Sequence, residues 1–206
     1  MLPVYRHMFE SKRGKQATYE DRIRMCELNF SHIPNVIVSR AEEECFALHL
    51  ERADNNIDPS SIRVGTADLL EMLHDQFPNV DFTLALGEDT FMDLTSWKWR
   101  RALDVINFVA GRVVVLRRKF EDESILELSE REQTLNKRMI EINSKFPPLP
   151  DGTEQRTRCI QVSSLSAVSS TLIRSTTDEK LLRCHLDENV LEYIKLKKLY
   201  KFSLDG

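Results

Sequence analysis

With 206 residues the chain is long enough to bury one substantial core, and 41% hydrophobic with 30% charged residues is an ordinary globular composition. A formal net charge of -4 excludes a global positive field that would draw the chain to nucleic acid or to an anionic membrane. Any phosphate binding must then be local, built from a few basic side chains and backbone amides.

The four cysteines (Cys26, Cys45, Cys159, Cys184) show no CxxC spacing, which points to reduced thiols in a cytosol-like compartment. The five histidines (His7, His32, His49, His74, His185) include no HxH or HxxxH pair, so no structural zinc site is expected. No apolar run approaches a membrane span of roughly 20 residues, and the start of the chain lacks a signal-peptide core. The localisation expected is cytoplasmic.

In chain order, MLPVY reads as the last residues of a strand and runs into the basic loop RHMFESKRGK. Thr18, with Asp21 three residues on, opens a helix whose buried face is Ile23, Cys26 and Phe30. NVIVS (35–39) reads as a strand, and AEEECFALHLERADNN as a short helix and a loop. Thr66 caps a helix with Leu69, Leu70 and Leu73 inward. Residues 80–87, VDFTLALG, form a strand ending on glycine, and residues 97–105 a short helix. RVVVLR (112–117) is the strongest strand signal in the chain. A polar helix over 129–145 carries Leu135, Met139 and Ile142, PPLPDGTEQ is a loop, TRCIQV a strand, and Asp187 caps a last helix.

Strands alternating with helices predict an α/β fold with a parallel sheet covered on both faces, over a single domain 1–206. Ligands of such sheets sit at the carboxyl ends of strands. That rule selects Gly87 to Asp89, the Arg117-Arg118 pair, and the VSST that follows TRCIQV. The six glycines form neither GxGxxG nor GxxxxGK.

In VSSTLIR, a helix starting near Ser170 would present unpaired N–H groups to an anion, with Arg174 adding a bidentate contact. Plain N-capping reads the same residues equally well. In LALGEDTFMDLTSWKWR, Gly87 admits close backbone approach, Asp89 accepts from ribose hydroxyls, and Trp97 stacks on a flat ring. A turn glycine, a helix-starting carboxylate and a core tryptophan are the alternatives. Lys12 and Arg13 in the basic loop, like Arg117, either close over a polyphosphate or are simply solvated.

Together these segments resemble the nicotinate- or nicotinamide-mononucleotide adenylyltransferases, within the Rossmann-like nucleotidyltransferase superfamily. The family's ISSTxxR appears as VSSTLIR, its G-x-D followed by Trp as GED and Trp97, and its proline-and-basic loop before an E/D-x-R helix as LPVYRHMFESKRG and TYEDRIRM. GTADLLEML matches a Thr before a Leu-rich helix, and VLEYIKLKKLY matches the closing pattern through Val190, Tyr193, Ile194, Leu199 and Tyr200. The resemblance implies adenylyl transfer from ATP to a pyridine mononucleotide, giving the dinucleotide and pyrophosphate in NAD biosynthesis, with Mg²⁺ on the phosphates. It implies that Ser169, Ser170, Thr171 and Arg174, with Lys12 and Arg13, hold phosphates. Gly87, Asp89 and Arg117 would contact the nucleotide, Trp97 would stack on the pyridine ring, and Thr66 would lie near it.

The family's opening Gly-x-Phe-x-Pro-x-His-x-Gly-His motif has no counterpart here, so no catalytic residue is assigned. In family terms the chain starts within the second strand, and the first strand and helix are expected to be absent. A truncated active enzyme is favoured over a degenerate, non-catalytic binding or interaction module, and poor or no adenylyl transfer is expected of these residues alone. A nucleotidyltransferase with another phosphorylated acceptor, such as phosphopantetheine or a sugar phosphate, is the remaining alternative.

Overall fold

A computed structural model describes residues 1–6, 16–53, 58–118, 125–150, 152, 155–162 and 170–203. In chain order the elements are α1 (Tyr19–Phe30), α2 (Ala41–Arg52), a 3-10 turn (Pro59–Ser61), α3 (Thr66–Gln76), β1 (Leu84–Gly87), α4 (Glu88–Thr95), α5 (Ala102–Phe108), β2 (Val113–Arg118), α6 (Ile125–Asn143), β3 (Thr157–Val162), α7 (Ser170–Ser175), α8 (Glu179–His185), α9 (Glu188–Leu196) and a second 3-10 turn (Tyr200–Ser203). They fall into two compact units, Gly65–Ala167 and Met1–Val64 with Val168–Gly206, where the sequence showed no boundary.

The 65–167 unit holds a three-stranded parallel sheet in the order β1-β2-β3. This is the expected α/β class with helices flanking a parallel sheet. Side chains alternate across a strand, and on β2 Val113, Val115 and Arg117 share the buried face. Phe91 and Leu94 of α4, Val105 and Ile106 of α5, and Leu135 and Ile142 of α6 pack with Val113 and Val115 in one apolar cluster. The opposite face leaves Leu116 and Ile160 exposed, so within this unit the helices cover one face rather than both. At the turn into β2, Gly111 has φ +72 and a Cβ there would lie 2.6 Å from Phe146, so both backbone and packing require glycine.

Several expected boundaries move for identifiable reasons. The strand expected over 80–87 shortens to Leu84–Gly87, because Leu84 pairs with Val113 and β2 offers no residue before it. The helix expected over 97–105 becomes Ala102–Phe108, since Trp97 (φ 61) and Arg101 (φ 58) are both left-handed and break a helix run. The residues ahead of it form α4 instead. Thr66 is not the cap of α3 but its first residue: Gly65 is the N-cap, and its N–H donates to Asp68 Oδ2 at 2.8 Å.

In the other unit the expected strand at 35–39 is absent. The Met1 ammonium donates to Ile37 O at 2.8 Å and Ser39 N–H to Met1 O at 2.9 Å, a single rung of pairing that Pro3, with no N–H, cannot extend. Thr18 caps α1 as read, its hydroxyl accepting from Asp21 N–H at 3.1 Å. The ambiguous acidic segment is the full helix α2, with Ala41 and Cys45 buried. Asp187 caps α9, and Asp178 caps α8, which the sequence reading did not pick out.

Candidate functional site

The carboxyl ends of the three strands gather at Gly87, Arg118 and Val162, through pairings Gly87 to Leu116 and Arg118 to Val162. Gly87 is the N-cap of α4, and a Cβ on it would meet nothing within 4 Å. The approach to this strand end is therefore open. The two acids that follow have opposite fates, although both suit the positive end of a helix. Asp89 is exposed over 93% of its side chain and lies 3.8 Å from Arg131 Nη2. Glu88 is buried, with Arg131 Nε 2.6 Å from Oε1 and Arg117 Nε 3.5 Å from Oε2.

Arg117, expected at the nucleotide, is turned inward. The two-residue alternation of β2 places it on the buried face, paired with Glu88 and, at 3.3 Å, with Glu132. Among the described residues its Nη2 and Glu88 Oε2 have no hydrogen-bond partner. Through Glu88 and Glu132, Arg117 ties α4 and α6 to the sheet by charge. Glu88 went unassigned in the sequence, where it stands as the variable residue of GED; its signal was the apolar spacing to Phe91 and Leu94 in the same helix face.

Thr66 opens α3 in the same unit, half-buried. Trp97 lies in the turn after α4, 54% exposed, with Lys145 Nζ 5.4 Å from its ring centre. Such a cation over an indole face is attractive and leaves the other face for a second ring. Lys145 follows α6, whose last residue Asn143 is tied to Thr157 at the start of β3 by hydrogen bonds of 2.8 and 3.0 Å. Gly87 and Asp89 stand instead at a strand's carboxyl end. Gly87 caps α4 and Asp89 lies in its first turn, whereas Trp97 follows its far end, roughly 12 Å along the axis from Asp89, so one ligand touching both must extend along α4.

The phosphate-binding candidates fall in the other unit. Ser170 and Thr171 are exposed at the start of α7, and Arg174 is half-buried on the same short helix. Among the described residues no carboxylate forms an ion pair with Arg174. Its charge opposes the upward push that burial gives the Tyr200 phenol. Six residues make a helix too short for its dipole to hold an anion unaided. Ser169, Lys12 and Arg13 lie outside the described residues. No group of three metal-ligating side chains occurs among the described residues, and no helix among them is long and apolar enough to cross a membrane. All four cysteines are free.

No family model matches the chain. A protein of Chlorobium luteolum (strain DSM 273 / BCRC 81028 / 2530) named "Probable nicotinate-nucleotide adenylyltransferase" is 30% identical over 137 residues, which are 66% of this chain and 55% of that protein. One of the same name from Anaeromyxobacter dehalogenans (strain 2CP-C) is 27% identical over 205 residues, 98% of this chain and 79% of the relative. The match thus spans about half the length of the first relative and most of the second. Among solved structures, Plasmodium falciparum nicotinic acid mononucleotide adenylyltransferase complexed with APC has a TM-score of 0.49 at 17% identity, covering 89% of this chain and 92% of that one.

Proposed function

We propose that this chain, a relative of the nicotinate-nucleotide adenylyltransferases along nearly its whole length, binds ATP and a pyridine mononucleotide for adenylyl transfer in NAD biosynthesis. The observation that carries the reading is the match over 98% of the chain to a curated protein of that name. In the reaction the mononucleotide phosphate attacks the α-phosphorus of ATP and pyrophosphate leaves. The protein's part is positioning and charge neutralisation. Magnesium enters with ATP, as part of the substrate.

On this reading Ser170, Thr171 and Arg174 take phosphates. Asp89, above the open Gly87, takes ribose hydroxyls. Trp97 stacks on the pyridine ring with Thr66 nearby. The nicotinate form is taken as the mononucleotide, in keeping with the name of the relative that matches 98% of the chain. A cytoplasmic location fits the four free thiols.

Binding is the direct test, because none of these residues is assigned a proton transfer. Titration calorimetry of the full chain with nicotinate mononucleotide, nicotinamide mononucleotide and Mg-ATP should give saturable binding, tightest for the acid among the mononucleotides. Arg174→Ala should weaken Mg-ATP at least tenfold, and Trp97→Ala should weaken both mononucleotides while leaving Mg-ATP little changed. Absence of binding to either mononucleotide in the folded protein would overturn the reading.

A further inference from the structure

We propose that Asp68 is a positioning residue that sets the Trp97 turn against the start of α3. The proposal rests on the mononucleotide reading above, since it concerns how Trp97 and Thr66 come to flank one ligand.

Asp68 is the third residue of α3 and only 7% exposed. Its carboxylate is occupied from two directions. The Gly65 N–H donates to Oδ2 at 2.8 Å, which fixes the helix start that carries Thr66. Arg101 Nη1 donates to Oδ1 at 3.0 Å, and Arg100 Nη2 donates to Oδ2. Both arginines belong to the turn that links α4 to α5 and presents Trp97. A helix cap alone would need only the Gly65 contact.

The turn itself needs such a hold. Trp97 at φ 61 and Arg101 at φ 58 are both left-handed without being glycine. Each such residue is strained and persists only where surrounding contacts over-determine it. Arg101 is the anchor of that network, donating from Nη1 to Glu71 Oε2 at 2.8 Å and from Nε to Asp104 Oδ2 at 2.6 Å as well. Of its three acceptors only Asp68 is buried, with side-chain exposures of 6% for Asp68 against 52% for Glu71 and 45% for Asp104. Charge-assisted hydrogen bonds to a buried carboxylate are the strongest of the set. Asp68 thereby joins a strained, half-exposed tryptophan to the helix start beside it, without itself facing a ligand.

The test uses the full chain and two readouts. Brief trypsin treatment of the folded protein reports the turn, which contains Lys98, Arg100 and Arg101. Calorimetry reports nicotinate mononucleotide and Mg-ATP separately. Asp68→Asn should speed cleavage within the turn about tenfold and weaken the mononucleotide about tenfold while leaving Mg-ATP within twofold. Asp104→Asn, which removes only an exposed partner of Arg101, should change neither. If Asp68→Asn fails to fold, Arg100→Gln at the exposed arm should give the same pattern in reduced form. Unchanged cleavage, or equal losses for both ligands, would overturn the positioning role. Should the parent chain bind no mononucleotide, the functional reading falls by itself, and cleavage alone decides the clamp: faster supports it, unchanged rejects it.

Discussion

The two compact units are held together by different means. In the 65–167 unit a single apolar cluster runs from α3 through α4, α5 and β2 to α6, with Phe91, Leu94, Val105, Val109, Val113 and Val115 fully sealed from solvent. The other unit buries fewer apolar side chains, chiefly Ile23, Ala41, Cys45, Leu182, Val190, Leu191 and Ile194. Polar ties supply much of the rest. The Arg22 guanidinium donates to Tyr5 O at 3.2 Å, to Ala17 O at 3.3 Å and to Val4 O. Arg40 bridges Glu20 and Glu43. Tyr193 Oη donates to Asp21 across 172 residues of sequence. The first unit adds buried ion pairs at Asp68 and Glu88 to a continuous apolar core, whereas the second, with a smaller described core, leans more on directed contacts that depend on charge state.

Equal truncations in the two units should expose this difference most strongly. Leu94 and Leu191 are both 0% exposed. Leu→Ala costs about 2–5 kcal/mol, the spread being set by how far the site collapses around the cavity. Leu94→Ala, surrounded on the sheet side by rigid strands, should fall near the top of that range. Leu191→Ala, among short helices, should fall near the bottom. Chemical denaturation of each variant measures the gap. Equal losses would mean that the second unit is packed as tightly as the first.

Next in size is a buried charge pair inside the apolar unit itself. Arg117→Met removes a guanidinium that is 9% exposed and leaves Glu88, 3% exposed, with Arg131 alone. Removing one member of a buried pair costs about 3–5 kcal/mol. Because Arg131 stays 2.6 Å from Glu88, the loss should lie near 3 kcal/mol. Adding Glu88→Leu should recover most of it. If stability barely changes while Mg-ATP affinity collapses, Arg117 serves a ligand rather than the sheet.

The same division explains what was legible in the sequence. Apolar periodicity announced α3, α6, β2 and β3 with boundaries close to those observed, because burial on one face dictates those patterns. Polar ties left no periodic trace. NVIVS has the composition of a strand, yet its potential partner begins Met1-Leu2-Pro3, where proline interrupts the ladder. α4 had no assigned range in the sequence, where a helix-starting carboxylate at Asp89 was only an alternative, although Phe91 and Leu94 lie one turn apart and are fully buried. Asp89 and Trp97 are exposed, whereas Arg117 is buried on the sheet's inner face, because a charge at the end of an apolar strand can face either way and only its partners decide. The Asp68 clamp was unreadable for a related reason: its arginines are 32 and 33 residues away.

The smallest effect expected, and the most diagnostic of the polar unit, concerns Tyr193 and Asp21. Two hydroxyls hold the Asp21 carboxyl below its ordinary range, first Thr18 at 2.6 Å and then Tyr193 at 2.8 Å. The Tyr193 phenol is pushed up, first by burial and then by its bond to Asp21. A depressed carboxyl contributes stability above its unfolded value, roughly pH 4, and loses it as pH falls through the lower folded value. A raised phenol contributes below roughly pH 10 and loses it as pH rises through the higher folded value. The tie between α1 and α9 should thus be strongest from about pH 4 to 10. Tyr193→Phe should cost about 1 kcal/mol at neutral pH, and the gap to the parent chain should shrink toward both extremes. Leu94→Ala should show a gap that does not vary with pH, because no titrating group takes part. Thermal melts of both variants from pH 3 to 10 make the comparison, and a pH-independent Tyr193→Phe gap would mean that the hydroxyl contributes packing rather than a bond to an ionised carboxylate.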